Sequence, residues 1–321
     1  MRYWLAGLAA VVMICSCGGG KTSMLPKSGG QPYEVLVVSG SDRAAAQAVD
    51  SVLSRDVEGL PQPEPMFDVS LTDSVHFNQV ARLARNIIII NINSDLFTET
   101  RVRYEKNVWA QPQMVVYVNA PSRQELAARL PVVSKGLMNL LIRSELNTEI
   151  SVLNAATVNA DAEKAVRTMF GCRIKLPADM SSDKKGNGFL WLSDNGTDAM
   201  QNICIYSYAG DSFSQERSLA VRDSVMRINI PGERQGMYMQ TAAGSVTTGV
   251  TEERGRKIMI TRGLWVMKGD AMGGPFVSHS IIDTPRHRVI VAEAFVYAPG
   301  MKKRNMLRRL EAALYTLRLN D

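Results

Sequence analysis

Histidine is nearly missing from this chain, with three residues, His76, His279 and His287, in 321. Zinc sites draw on three or four clustered His, Cys or carboxylate ligands, and no such spacing occurs here. His279 and His287 flank the Asp283-Thr284-Pro285 turn and are expected as exposed hairpin residues. Cysteine is scarce too, at four, which excludes a disulfide-rich scaffold. No apolar run reaches the roughly 20 residues of a membrane-spanning helix. A Gly-x-Ser-x-Gly nucleophile elbow is absent. Gly20-Lys21-Thr22 has the tail of a phosphate-binding loop, but Cys15 stands where its first glycine belongs and no strand precedes it. Glu252 and Glu253 are adjacent, so in a strand they point apart and make no acid–base pair. On these grounds we expect no catalytic residue set, no cofactor and no metal.

What is present begins with an export signal. Arg2 supplies a positive start, residues 5–14 are an almost unbroken apolar run, and Ile14-Cys15-Ser16-Cys17 follows. A branched apolar residue three positions before a cysteine, with a small residue just before it, resembles the lipobox of bacterial lipoproteins. The resemblance implies cleavage after Ser16 and acylation of Cys17, so that a lipid bilayer is the first partner. Residues 1–16 are then the signal, and residues 17–32, which open on three glycines, a flexible tether. No acidic residue follows Cys17 closely. By the same resemblance this points to the outer membrane and its periplasmic face. Cys172 and Cys204 remain. In an oxidising compartment they either form a disulfide or sit as two separately buried thiols.

The rest of the chain has the composition of a packed protein, 45% hydrophobic. Its net charge of +6 is spread along the sequence. Because an exported protein seldom meets nucleic acid, we expect none as a partner. The fold class expected is α+β, in two sheet-and-helix layers. Residues 33–148 read as a first, α/β-type domain with a mixed sheet. Residues 33–38 (YEVLVV), 66–71 and 86–92 (NIIIINI) are strands, and residues 108–118 a strand or hairpin. Residues 43–53 and 74–84 are expected helices, and Ser122 with Glu125 forms a capping box for a longer one reaching about residue 146, with a kink at Pro131. Residues 149–321 read as a second α+β domain. Strands are expected at residues 257–267, 276–283 and 288–297 as an antiparallel meander, with an amphipathic helix over residues 301–319 closing the chain. Arg304, Arg308 and Arg309 on its polar face are expected in solvent.

Two segments stand out. One runs from Thr261 to Phe276, TRGLWVMKGDAMGGPF, and the other from Ile230 to Met239, IPGERQGMYM. Together with the lipobox they resemble an uncharacterised Bacteroidetes lipoprotein family, domain of unknown function 4837. The resemblance implies a compartment but no activity, and is expected to span nearly the whole chain after the signal. The glycines of the first segment permit an unusual backbone path. A binding loop would use Arg262, Trp265, Asp270 and Met272. The competing reading is a hairpin loop with a packed aromatic pair, Trp265 and Phe276. Gly210-Asp211-Ser212-Phe213 is similar to the nucleophile block of a serine esterase family, but no Asp-x-x-His follows near the C-terminus. Asp211 and Ser212 fit better as the start of a helix. The function expected is a membrane-anchored cell-envelope lipoprotein that binds an envelope protein or small ligand without catalysis. The alternative is an envelope hydrolase with a dispersed carboxylate-based site.

Overall fold

The computed structural model of the chain describes residues 24–253 and 255–320. Cys17 and the signal lie outside the described residues. The first half is organised by an isoleucine-rich strand. A strand buried on both faces needs a continuous apolar run, and the chain supplies NIIIINI. This strand, β3 in chain order, spans Asn86–Ile92. β1 (Glu34–Val38) and β5 (Met114–Ala120) pair with it in parallel on either side. β2 (Asp68–Thr72) adds to β1 in parallel, and β4 (Arg101–Lys106) closes the other edge antiparallel to β5. The sheet is therefore mixed, in the order β2-β1-β3-β5-β4.

Val35, Val37, Ile88, Ile90, Val116 and Val118 share one face by the period of two. Helices α1 (Arg43–Leu53) and α2 (Arg123–Ala155) cover that face. Asp42 caps α1 by accepting from the Ala45 N–H, and Ser122 caps α2 by accepting from the Glu125 N–H. Among the described residues no α-helix packs on the opposite face. Leu36, Val38, Ile87 and Tyr117 pack there under Phe77, Val108 and Trp109, which come from connecting segments.

Two expectations fail here for local reasons. Residues 74–84 are not an α-helix but a run of turns that ends in one turn of 3-10 helix at Ala81–Leu83. The Asp73 carboxylate accepts from the Val75 and His76 N–H groups, and Asn78 Oδ1 accepts from the Val80 and Ala81 N–H groups. These side chains compete with the backbone for donors a helix would use. α2, by contrast, runs on through Pro131 to Ala155. Its 33 residues make it about 50 Å long. The boundary expected at 148/149 thus falls inside a continuous helix, and the junction lies after Ala155.

The second half opens on α3 (Ala160–Phe170), ended by Gly171 at φ 59°. Short strand β6 (Cys172–Arg173) follows and later pairs with β15 (Arg318–Leu319). β7 (Ser182–Gly186), β8 (Phe189–Ser193) and β9 (Met200–Ala209) precede α4 (Gln215–Asn229). β10 (Tyr238–Thr241), β11 (Thr247–Glu253), β12 (Arg256–Lys268), β13 (Gly273–Asp283) and β14 (Arg288–Tyr297) lead to α5 (Arg304–Leu314). The antiparallel sheet has the order β10-β12-β13-β14-β9-β8-β7, with β11 also on β12. The expected β12–β13–β14 meander is its centre. α3 and α5 pack on one face and α4 on the other, so the architecture is α+β.

The sheet separates the cysteines. Cys172 belongs to the core under α3 and α5, and Cys204 to the core under α4. Both are free and buried, so of the two alternatives the structure has the separately buried thiols and not the disulfide. Burial pushes the Cys172 thiol up to about 12 and the Cys204 thiol well above its ordinary value, which keeps both protonated and unreactive. Among the described residues no helix is long and apolar enough to cross a membrane.

Candidate functional site

The alternation of β12 splits the expected binding loop. Trp265 points to the α4 face, 2% exposed, and its Nε1 donates to the Val296 carbonyl at 3.3 Å. Its ring lies edge-on to Phe295 with centroids 5.6 Å apart. Met272 packs against the same cluster. Asp270 is exposed at the tip of the turn. Arg262 leaves from the opposite face, toward α5. The four side chains do not converge.

The glycines of that segment serve the rings. Gly263 lies opposite Phe276 and Gly274 opposite Trp265 in the β12–β13 register. A Cβ on Gly263 would sit 2.9 Å from the Phe276 ring, and one on Gly274 would sit 3.1 Å from Trp265 Nε1 and 2.0 Å from the Val296 carbonyl oxygen. Each aromatic ring therefore covers a glycine on the neighbouring strand, a pairing that fills the gap a missing side chain leaves. The ring contacts are not those expected, since Trp265 meets Phe295 and Tyr297.

Arg262 instead belongs to an ionic cluster where the two halves meet. α5 presents Arg304, Arg308 and Glu311 at helical spacing, with Tyr315 at its C-cap. Glu311 is 1% exposed and accepts from Arg262 Nη1 at 3.1 Å and from Arg308 Nη1 at 3.2 Å, with Arg262 Nη2 on its other oxygen. Burial alone would raise the Glu311 pKa, but Arg262, the His279 ring and Arg308 outweigh it and hold the carboxyl well below the usual range. Arg304 donates to Asp68 at 2.6 Å and to the Pro65 carbonyl at 2.5 Å. Glu64, from the first half, accepts the Lys303 and Arg304 N–H groups at 2.7 and 2.9 Å. It thereby caps a helix that has no capping side chain of its own. The expectation that Arg304, Arg308 and Arg309 sit in solvent is corrected. Arg304 is 4% exposed, Arg308 is tied to Glu311, and Arg309 reaches Asp179.

His279 lies behind this cluster, 1% exposed and edge-on to the Tyr315 ring at 4.5 Å, not in the exposed hairpin position expected. Its Nε2 faces Glu311 at 3.6 Å, a long polar contact, and neither ring nitrogen has a partner at ordinary hydrogen-bond distance. Burial lowers its pKa despite the nearby carboxylate. The folded chain therefore holds a proton on this ring less readily than the unfolded chain, where it protonates near the ordinary value of 6.5. The unfolded chain binds the extra proton, so stability declines as pH falls below about 6.5, by up to about 1.4 kcal/mol per pH unit. Urea midpoints measured between pH 7.5 and 5 should show this slope in the native chain and a shallower one in His279→Phe.

In front of the cluster is a cleft of about 510 Å³ between the halves. Arg55, Asp56, Glu58 and Lys135 line it from the first half, and Arg262 and Arg308 from the second. Arg262 keeps 24% of its side chain exposed. Four cations against Asp56, Glu58 and the buried Glu311 leave the cleft positive. A second buried pair, Arg222 with Glu293, lies on the α4 side, with Nη2–Oε1 at 2.8 Å and the guanidinium 3.8 Å over the Phe276 ring. Among the described residues no group of three or more His, Cys, Asp or Glu side chains is placed to hold a metal ion.

The sequence reading reached Arg262 and named Arg308 only as a solvated residue, and it missed Arg55, Lys135 and Glu311. One signal was available for the last. Glu311 adjoins Leu310 and is buried with Leu307 and Leu314 in the amphipathic helix, where an isolated carboxylate needs a buried cation.

Comparison with known proteins divides the chain where the structure does. Residues 28–154 match the model described as Domain of unknown function (DUF8532), and residues 159–316 match Domain of unknown function (DUF4837). The resemblance thus covers the second half alone, not the whole chain after the signal. No curated protein matches. Among solved structures, the Saccharomyces cerevisiae Ran-binding protein Mog1p is 10% identical, with a TM-score of 0.31 over 47% of this chain and 91% of that one. A substituted form of Mog1 is 11% identical, with a TM-score of 0.29 over 47% and 92%. These likenesses carry no argument about function. The part of this chain that holds the antiparallel sheet, α5 and the Arg262–Glu311 cluster is a domain of the DUF4837 family.

Proposed function

We propose that this chain is a lipid-anchored protein of the cell envelope that binds an anionic ligand, without chemistry, in the cleft between its halves. The observation that carries the binding part is the cleft itself. Cations from both halves face one space, and two of them are held in place by a buried carboxylate. A guanidinium fixed in this way loses little entropy when it meets an anion. The anchoring part rests on Ile14-Cys15-Ser16-Cys17 and on the lipoprotein resemblance, with the periplasmic face of the outer membrane as its place. The hydrolase alternative is less favoured. Asp283, Glu293 and Glu311, the carboxylates buried in the second half among the described residues, are each bound by arginine, which leaves none free as acid or base.

Arg55 and Lys135 are exposed, so their removal tests the cleft without disturbing its support. Inorganic phosphate or citrate at about 100 Kd should stabilise the native chain by about 2.7 kcal/mol. In the Arg55→Ala, Lys135→Ala double variant, the same concentrations should give little or no shift in thermal midpoint. Equal shifts in both proteins would place the anion elsewhere.

A further inference from the structure

The segment expected as the far end of a free tether is docked. Gln111 N–H donates to the Pro26 carbonyl at 2.8 Å, and Ser28 N–H donates to the Gln111 carbonyl at 3.2 Å. Gly29 N–H donates to the Leu83 carbonyl at 2.8 Å, and Arg85 N–H donates to the Gly29 carbonyl at 3.1 Å. The chain therefore leaves the body at one corner of the first half, beside residues 80–85 and the loop 107–113. Gln113 ties these two together, donating from Nε2 to the Arg82 and Ala84 carbonyls at 2.6 and 2.7 Å.

This corner exposes large apolar side chains next to cations. Met24 is 93% and Val80 77% exposed, and Leu25 stands between Met24 and the docked segment. Lys27 and Arg82 are exposed beside them. Lys27 and Val80 line one groove with Leu36 on the uncovered face of the sheet. Arg82 lies 5.5 Å over the ring of Trp109, which is half-buried next to it. Large apolar side chains interspersed with cations and a tryptophan are the composition of a surface that rests at a bilayer interface.

We propose that this corner lies against an anionic lipid surface. The inference rests on acylation of Cys17. That residue is nine positions before Pro26, and nine residues of chain span at most about 30 Å. A lipid at Cys17 thus holds the Pro26 corner near the headgroups.

The test uses the acylated full-length chain in vesicles containing phosphatidylglycerol. Cys172 and Cys204 are buried, so a single introduced cysteine takes an environment-sensitive fluorophore selectively. The label at Val80→Cys should shift to the blue and lose emission to spin-labelled lipid. The label at Lys185→Cys, on β7 of the second half, should do neither. Quenching at 185, at both sites or at neither in a chain whose intact mass includes the acyl groups overturns the orientation alone. A chain with no acyl group at Cys17 overturns the anchoring reading as well.

Discussion

Glu311→Ala should lower the stability of the folded chain by about 3–5 kcal/mol, the range for removing one member of a buried ion pair. The mechanism is the pair of cations left behind. Arg262 and Arg308 both donate to this carboxylate, and without it two guanidinium groups sit against each other in a partly buried seam. Replacing Arg262, Arg308 and Glu311 together with apolar residues of similar size should cost less than the single change, because no uncompensated charge remains. Urea unfolding followed by circular dichroism measures both. A Glu311→Ala midpoint within error of the native value would mean that the cluster is solvated and contributes nothing to joining the halves.

The second large effect is expected at a glycine. Gly274→Ala places a Cβ 2.0 Å from the Val296 carbonyl oxygen and 3.1 Å from Trp265 Nε1. The first contact is with backbone, so β13 and β14 must separate or Trp265 must leave its place. Overpacking of this kind costs about 1–3 kcal/mol, and loss of the Trp265 hydrogen bond adds about 1 kcal/mol. Gly249→Ala provides the control. Gly249 lies on β11 with open space around its Cβ position, so the change should leave the urea midpoint nearly unchanged. If the two alanine variants unfold alike, the aromatic-over-glycine account of the segment from Thr261 to Phe276 is wrong.

The parts of this fold that local chemistry decides were legible in the sequence. The NIIIINI run could only be an inner strand, Ser122 with Glu125 marked the start of α2, and the period of β12, β13 and β14 gave the meander. The parts decided by distant partners were not. Arg304 and Arg309 looked like a solvent face because their own neighbours offer only a helix surface. Their partners Asp68 and Asp179 lie 236 and 130 residues away. Glu64 caps α5 across 240 residues, which no local pattern reports. His279 was misplaced for a related reason. Its strand alternates correctly, but only the fold reveals that α5 and Tyr315 cover that face. The expected binding loop failed on a matter of parity. Arg262 and Trp265 are three apart in a strand, and odd spacing sends side chains to opposite faces.

The central claim is that the cleft between the halves takes an anion on the cations that line it. Backbone hydrogen exchange of the native chain, with and without saturating phosphate or citrate, tests it most directly. The account predicts slowed exchange confined to the segment around Arg55–Glu58, to the turn of α2 that bears Lys135, and to β12 around Arg262. Exchange unchanged by every anion tried, or protection appearing instead on the α4 side of the antiparallel sheet, would contradict it.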